Sequence, residues 1–432
     1  MAKLSLLTIL SLMLSSSLFA SSKKTRFENI DLFNKVYYLI EKNYYRDVDQ
    51  QKLINGAIKG MVSTLDPHSS FLDERVYKKM QEETKGEFGG LGIEVTQKDG
   101  LIIIITPIDD TPAFKAGLKA GDRIVEINGE STVGVNLDEA VEKMRGEIGS
   151  SIKLGIARDG VKGVKTYKIK REIIKMKPVK SEILQEEYVY LRLTSFQKDS
   201  GEYVAKAIQK HKKQIQKNKK MFKGVIFDLR SNPGGLLDEA VNVSSVFLNS
   251  GVVVSTEGRD PSAKDIRYVR KNGYKELSVP LVILINGASA SASEIVAGAI
   301  QDQKRGVVMG SRSFGKGSVQ TIAKVDDAQG LKLTIAQYMT PTGKKIQALG
   351  ITPDITLKEL GPNWNSSERK GSYIRESDLR NHLTATIETD EEKSDRLRSR
   401  KSNESAMSQD YQVMQAVKYL QGISMYKKIM KN

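Results

Sequence analysis

From residue 178 onward the chain alternates short, nearly all-apolar runs with longer amphipathic ones, and nothing else in the sequence restricts its fold as tightly. Residues 224–229 (GVIFDL) and 281–285 (LVILI) carry almost nothing that a solvent-facing strand would show. Such runs suit buried strands whose sheet is covered by helices. Helical patterns at 201–217, 236–248 and about 288–303 fall between these strands and others at 188–193, 306–309 and 331–336. The alternation predicts an α/β sheet covered by helices, with function at the strand-to-helix crossings.

The remaining residues divide differently. At 432 residues the chain exceeds what one core usually serves, so two or more domains are expected. Residues 1–20 read as a secretory signal peptide: one lysine, a leucine-rich run, then small residues ending in Phe19-Ala20. Apolar residues at helical spacing predict two or three short helices over 27–80, broken at the turn Leu65-Asp66-Pro67-His68. A glycine-punctuated stretch at 85–92 then opens a β-rich block, with strands at 101–106, 123–128, 152–157 and 164–169. Helical stretches near 112–119 and 136–145 interrupt it. Beyond 359 the chain turns polar, is charge-rich over 388–405, and ends in an apolar-periodic helix (Val413, Met414, Val417, Leu420).

Composition narrows the chemistry. There is no cysteine, so disulfides, thiolate metal sites and cysteine nucleophiles are excluded. The three histidines (His68, His211, His382) fall in turn or polar segments and read as surface residues. No metal or organic cofactor is expected. The net charge of +16 favours anionic partners. Export argues against nucleic acid among them, and leaves peripheral association with an anionic membrane.

Gly89-Gly90-Leu91-Gly92-Ile93 and the later run AGLKAGDRIVEING (116–129) resemble a PDZ domain. A glycine-rich loop ahead of a strand can turn several amides toward one point, as capture of a peptide carboxylate requires. Leu91, Gly92 and Ile93 are the residues expected to bind it.

Two crossings in the α/β part attract chemistry. Phe227 to Gly235 (FDLRSNPGG) ends a strand in a Pro-Gly-Gly turn whose amides could stabilise an oxyanion. Residues 285–295 (INGASASASEI) set Ser289, Ser291 and Ser293 among alanines where a strand meets a helix. There a serine either caps the helix or serves as a nucleophile beside its amides. A base is then needed, and a lysine with a pKa lowered by burial can supply it. Lys316, flanked by glycines, is a candidate, and Gln320 four residues on shares its face in a strand or a helix. Gly310 to Lys316 imitates a nucleotide-binding loop, but Gly317 replaces the hydroxyl residue that would bind magnesium. Ser313-x-x-Lys316 imitates the penicillin-binding pattern, but that pattern wants one continuous helix and Gly315 intervenes.

Taken in order, LDPHSSFLDE, the PDZ-like block, DLRSNPGG, NGASASASEIVAGAI, SFGKGSVQ, YMTPTGKKIQ and GITPDI closely resemble the carboxy-terminal processing, or tail-specific, proteases. The resemblance spans about residues 27–354. It implies that Ser291 is the nucleophile, Lys316 the base and Gln320 its positioner, with an oxyanion hole from Ala292 and the Gly234-Gly235 turn. Spacing does not choose among the three serines; the resemblance does. It also implies a ClpP/crotonase-like α/β protease core at 173–358. A helical segment at 27–84 and a PDZ-like domain at 85–172 precede that core, and a polar linker with a helical tail at 359–432 follows it. The expected function is serine endopeptidase cleavage near substrate C-termini, in the periplasm, of proteins with accessible apolar tails. A homodimer through terminal helices and an adaptor protein are further partners the resemblance leaves room for. Two contrasting readings are a non-catalytic peptide-binding scaffold, which would lack Ser291 or Lys316, and a penicillin-binding acyl transferase, which has no use for a PDZ-like module.

Overall fold

The computed structural model describes residues 25–358, except 99, 109, 261 and 263, together with 410–430. The signal peptide expected at 1–20, the charge-rich stretch at 388–405 and His382 lie outside the described residues. The described residues fall into two compact units that divide between Met61 and Val62.

The first unit holds α1 (Arg26–Asn43) and most of α2 (Gln50–Ser63). Thr25 and Glu28 start α1 with a reciprocal capping box.

The second unit opens with a short strand β1 (Ser70–Leu72) and α3 (Glu74–Lys85), capped by Asp73 and ended by Gly86 at φ +70°. The β-rich block comes next: β2 (Glu87–Gly90), β3 (Ile93–Lys98), β4 (Leu101–Pro107), α4 (Pro112–Lys115), β5 (Arg123–Ile127), β6 (Glu130–Ser131), α5 (Leu137–Met144), β7 (Ser151–Ala157), β8 (Val164–Lys170) and β9 (Glu172–Lys175). Its sheet runs β3-β4-β5-β7-β8, with β6 on β5, so β3 is an edge. Strand periodicity sends Ile102, Ile104, Ile124, Ile152, Leu154 and Ile156 into a core of its own. Strands β2 and β9 pair where the chain enters and leaves this block.

The remainder comprises β10 (Val179–Leu184), β11 (Tyr188–Leu193), α6 (Ser200–Lys217), β12 (Gly224–Asp228), α7 (Leu237–Phe247), β13 (Val252–Gly258), β14 (Asp265–Tyr268), β15 (Leu281–Ile285), α8 (Ala292–Asp302), β16 (Val307–Gly310), β17 (Ser318–Lys324), β18 (Gly330–Met339), β19 (Ile355–Thr356) and α9 (Tyr411–Ile429). Its main sheet is ordered β10-β11-β12-β15-β16-β19 and is parallel from β11 onward. Val225, Phe227, Ile283 and Ile285 pack into one core with residues of α6, α7 and α8. Ile226, Val282 and Leu284 point to the other face and meet Ala416, Val417 and Leu420 of α9. The apolar runs of β12 and β15 are therefore explained by helices on both faces, and the second cover is the C-terminal tail.

Three expectations need correcting. Helix α8 begins at Ala292, not near 288, because Ser291 takes φ +56° and ψ −113° and breaks the helical path. His211 is buried rather than exposed, on the stripe of α6 that carries Val204, Ile208 and Ile215, with Nε2 2.9 Å from Ser181 Oγ. The strand holding Gln320 begins only at Ser318 and shifts register between Val319 and Gln320, so Lys316 and Gln320 do not share a strand face by even spacing.

Candidate active site

Parallel neighbours β12, β15 and β16 release their chains at the same end of the sheet. That register joins the three motifs, because the loops after these strands are 229–236, 286–291 and 311–317.

The three serines differ in what their hydroxyls do. Ser289 is fully buried; its Oγ donates to Leu229 O at 2.9 Å and accepts from Asn286 N at 2.9 Å. Ser293 is likewise buried and donates to Asn232 O at 2.9 Å. Both serve to tie the two loops together. Ser291 is partly exposed, stands at the cap position of α8, and occupies a backbone conformation that costs a non-glycine residue of order 1–3 kcal/mol.

The Pro-Gly-Gly turn lies directly against it. A Cβ on Gly234 (φ +100°) would stand 2.8 Å from Ser291 Cβ and 2.9 Å from Ala292 N. A Cβ on Gly235 (φ +144°) would meet Phe196 O at 2.2 Å. Both positions therefore require glycine. The two glycines are not equivalent as donors, however. Gly234 N donates to Asn232 Oδ1 at 2.9 Å, so its amide supports the turn, while the next residue, Gly235, is exposed and lies against Phe196.

Sequence reasoning missed the residue that organises this region, Glu294, although its place three after Ser291 matches a capping-box spacing. Its side chain is wholly buried and collects four donors. Oε2 accepts from Ser291 N at 2.7 Å and Lys316 N at 2.9 Å. Oε1 accepts from Gly315 N at 2.7 Å and Ser313 Oγ at 2.5 Å. One carboxylate oxygen thus holds the backbones of Ser291 and Lys316 within two hydrogen bonds of each other. Burial pushes the Glu294 carboxyl up to about 7, against the downward pull of its four donors. Ser313 also accepts from Ile351 N at 2.6 Å, so it is a structural hydroxyl.

Gln320 is partly buried, and its Nε2 donates to Ser318 Oγ at 2.7 Å and Ser318 O at 3.2 Å. A carbonyl can only accept, so this pairing fixes which end of the amide is nitrogen. Thr334, the cross-strand partner of Gln320, donates to Asp66 at 3.2 Å. Asp66 also accepts from the amides of His68 and Ser69 and from Ser69 Oγ. The LDPHSS turn therefore braces the strand that faces Gln320.

In the β-rich block the loop 91–93 leads into edge strand β3. Leu91 is buried, and its carbonyl accepts from Ala113 N. The Gly92 carbonyl accepts from Ile108 N and Thr111 Oγ1. Gly92 (φ +75°) must be glycine, since a Cβ there would lie 2.3 Å from Thr111. Ile93 opens β3, the edge to which a peptide strand could add.

The chain is similar to several known proteins. Residues 187–357 match the profile described as peptidase family S41, residues 79–157 a PDZ domain, and residues 13–76 the N-terminal domain of the activating protease CtpB. A carboxy-terminal-processing protease of Bartonella bacilliformis is 44% identical over 382 residues, covering 88% of this chain and 86% of that protein. The carboxy-terminal processing protease CtpA of Bacillus subtilis is 36% identical, covering 79% and 72%. Among solved structures, a photosystem II D1 C-terminal processing protease is 28% identical with a TM-score of 0.43, covering 76% of this chain and 92% of that one.

Proposed function

The chain belongs to the carboxy-terminal processing proteases of peptidase family S41, and from that premise we propose a serine–lysine mechanism assisted by Gln320. The enzyme is a serine-type peptidase with a PDZ domain ahead of its catalytic core. In the proposed mechanism Ser291 is the nucleophile. The observation that carries it is the contrast among three neighbouring serines: the hydroxyls of Ser289 and Ser293 are buried in loop-to-loop bonds, while Ser291 is partly exposed on a strained backbone beside the Pro-Gly-Gly turn.

The Lys316 amine, neutral when it acts, takes the Ser291 hydroxyl proton as Oγ attacks the scissile carbonyl. The amides of Ala292 and Gly235 stabilise the oxyanion. Lys316 passes the proton to the leaving amine, an acyl-enzyme remains, and water attacks it with the same lysine as base. The Gln320 carbonyl end, turned from the Ser318 contacts, orients the amine. Glu294 keeps the two backbones in register.

The PDZ domain indicates recognition of peptide C-termini. We assign the carboxylate to the loop Leu91–Gly92–Ile93 and treat residues 85–172 as the binding domain and 173–358 as the catalytic core. The paired strands β2 and β9 support that boundary. Export to the periplasm follows from the character of residues 1–20 and belongs to the same proposal. Replacing Ser291 with Ala should abolish cleavage of an unstructured protein ending in apolar residues; cleavage at the original rate would refute the assignment.

A further inference from the structure

The C-terminal helix carries no recognised motif, yet its first turn grips the loop that forms one wall of the site. Arg230 lies between two carboxylates. On one side, Nε and Nη2 donate to Asp228 Oδ1 and Oδ2 at 2.9 and 2.6 Å, and Arg230 N also reaches Oδ1 at 2.9 Å. On the other, Nη1 and Nη2 donate to Asp410 Oδ1 and Oδ2 at 2.7 Å each, and Nη1 reaches Gln412 Oε1 at 3.0 Å. Paired bonds of this kind fix direction as well as distance. Asp228 ends strand β12, is wholly buried, and also accepts from Tyr190 OH at 2.7 Å and Arg192 at 3.3 Å. Asp410 caps α9, and Gln412 donates in turn to the carbonyls of Leu357 and Lys358 beyond β19.

The backbone just after Arg230 needs such a hold. Ser231, Gly234 and Gly235 all take positive φ, at +56°, +100° and +144°. This series of positive φ begins at Ser231, a non-glycine residue whose conformation persists only where its surroundings over-determine it, whereas the two glycines adopt theirs freely. Asn286 holds Ser231 from one side and Asn232 bonds Leu193 O from another. The Arg230 clasp fixes where the run begins. It is separate from the apolar anchoring of α9, which Ala416, Val417 and Leu420 supply further along the helix.

The geometry points to Asp410 and Gln412 as positioning residues for the oxyanion turn, acting through Arg230. This rests on the reading of Gly235 and Ala292 as oxyanion donors. The C-terminal helix thereby becomes part of the catalytic core, setting the height at which the Gly235 amide meets that of Ala292.

The test uses the full chain carrying Asp410→Asn. Asparagine still caps a helix, so α9 keeps its start while the second carboxylate is lost. The readouts are kcat and KM on an internally quenched peptide with an apolar C-terminus and affinity for a peptide boronic acid that occupies the oxyanion position. Binding of the uncleaved peptide to the Ser291→Ala form of each variant and the urea midpoint complete the set. We expect kcat and boronate affinity to fall together, about tenfold, as for a misplaced reacting group, while KM and uncleaved-peptide affinity stay unchanged. Gln412→Ala, which spares the ion pair, should give a smaller loss in the same pattern. Unchanged kcat in both variants overturns the inference. So does a loss in which boronate and uncleaved peptide weaken equally, the mark of a merely structural clasp. Full cleavage by Ser291→Ala would overturn the underlying mechanism, and this inference with it.

Discussion

Replacing Glu294 with Gln tests whether one buried carboxylate holds the backbones of Ser291 and Lys316 in place. All four partners of Glu294 donate to it, and an amide offers only one acceptor end. The least costly orientation keeps the oxygen on Ser291 N and Lys316 N and turns the nitrogen to Ser313 Oγ, which can accept. Gly315 N is then left buried without its acceptor, a loss of about 1–3 kcal/mol. Against this stands the desolvation of the wild-type carboxylate. Its folded pKa is raised from 4.5 to about 7, so its contribution to stability is full below 4.5 and is lost as pH rises through 7. Integrated over that window the loss is about 3 kcal/mol. The variant should therefore be about 1–3 kcal/mol less stable than wild type near pH 4.5, with the gap closed or reversed by up to about 2 kcal/mol at pH 8. Activity should behave differently. Bonds from the Ser291 and Lys316 amides to a neutral oxygen are weaker by roughly 1 kcal/mol each than to a charged one, so kcat at pH 8 should fall about thirtyfold although the variant is no less stable there. Urea unfolding at both pH values and steady-state cleavage at pH 8 measure the two effects. A stability gap independent of pH, or an unchanged kcat, would refute the role given to Glu294.

Three further outcomes are expected from the geometry. Ser291→Gly and Ser291→Ala should both be inactive, but the glycine variant should unfold at higher urea, by about 1 kcal/mol, because it relieves the positive φ; equal stabilities would show that the backbone stores no strain. Burial pushes the Asp66 carboxyl up, yet its bonds with Ser69, His68 and Thr334 hold it below its ordinary value, so its contribution to stability is present above that value and lost in acid. Asp66→Ala should cost about 2–4 kcal/mol at pH 7 and less at pH 3, by urea titration. A substrate tail amidated at its C-terminus should be cleaved more slowly than one with a free carboxylate, and equal rates would remove residues 91–93 from substrate selection.

Much of the architecture is legible in residue patterns. The alternation of Ile152, Leu154 and Ile156 in β7 and the unbroken apolar runs of β4, β12 and β15 mark their strands directly, and the stripe of Val413, Val417 and Leu420 marks α9. What the pattern does not say is where α9 packs, since its partners Ile226 and Val282 are far off along the chain. His211 escapes for a related reason. The lysines around it dominate the composition of α6, and only its register with Ile208 and Ile215 puts it on the buried stripe. The register shift before Gln320 has no local signal, because a bulge is set by both strands. At the site the loops are legible from glycines and serines, but the roles of Ser289 and Ser293 depend on carbonyls of Leu229 and Asn232, which only the fold brings near. Glu294 is visible in spacing alone, three residues after Ser291, but nothing local shows that its other oxygen is filled from the loop at 313–316.

In the proposed mechanism peptide cleavage passes through an ester on one particular serine. Quenching the enzyme in acid during turnover of a tail peptide, digesting it and locating any acyl group by mass spectrometry tests that directly. We predict an adduct on Ser291, lost in Ser291→Ala together with activity. An adduct on Ser289 or Ser293, or cleavage that persists in Ser291→Ala, would contradict it.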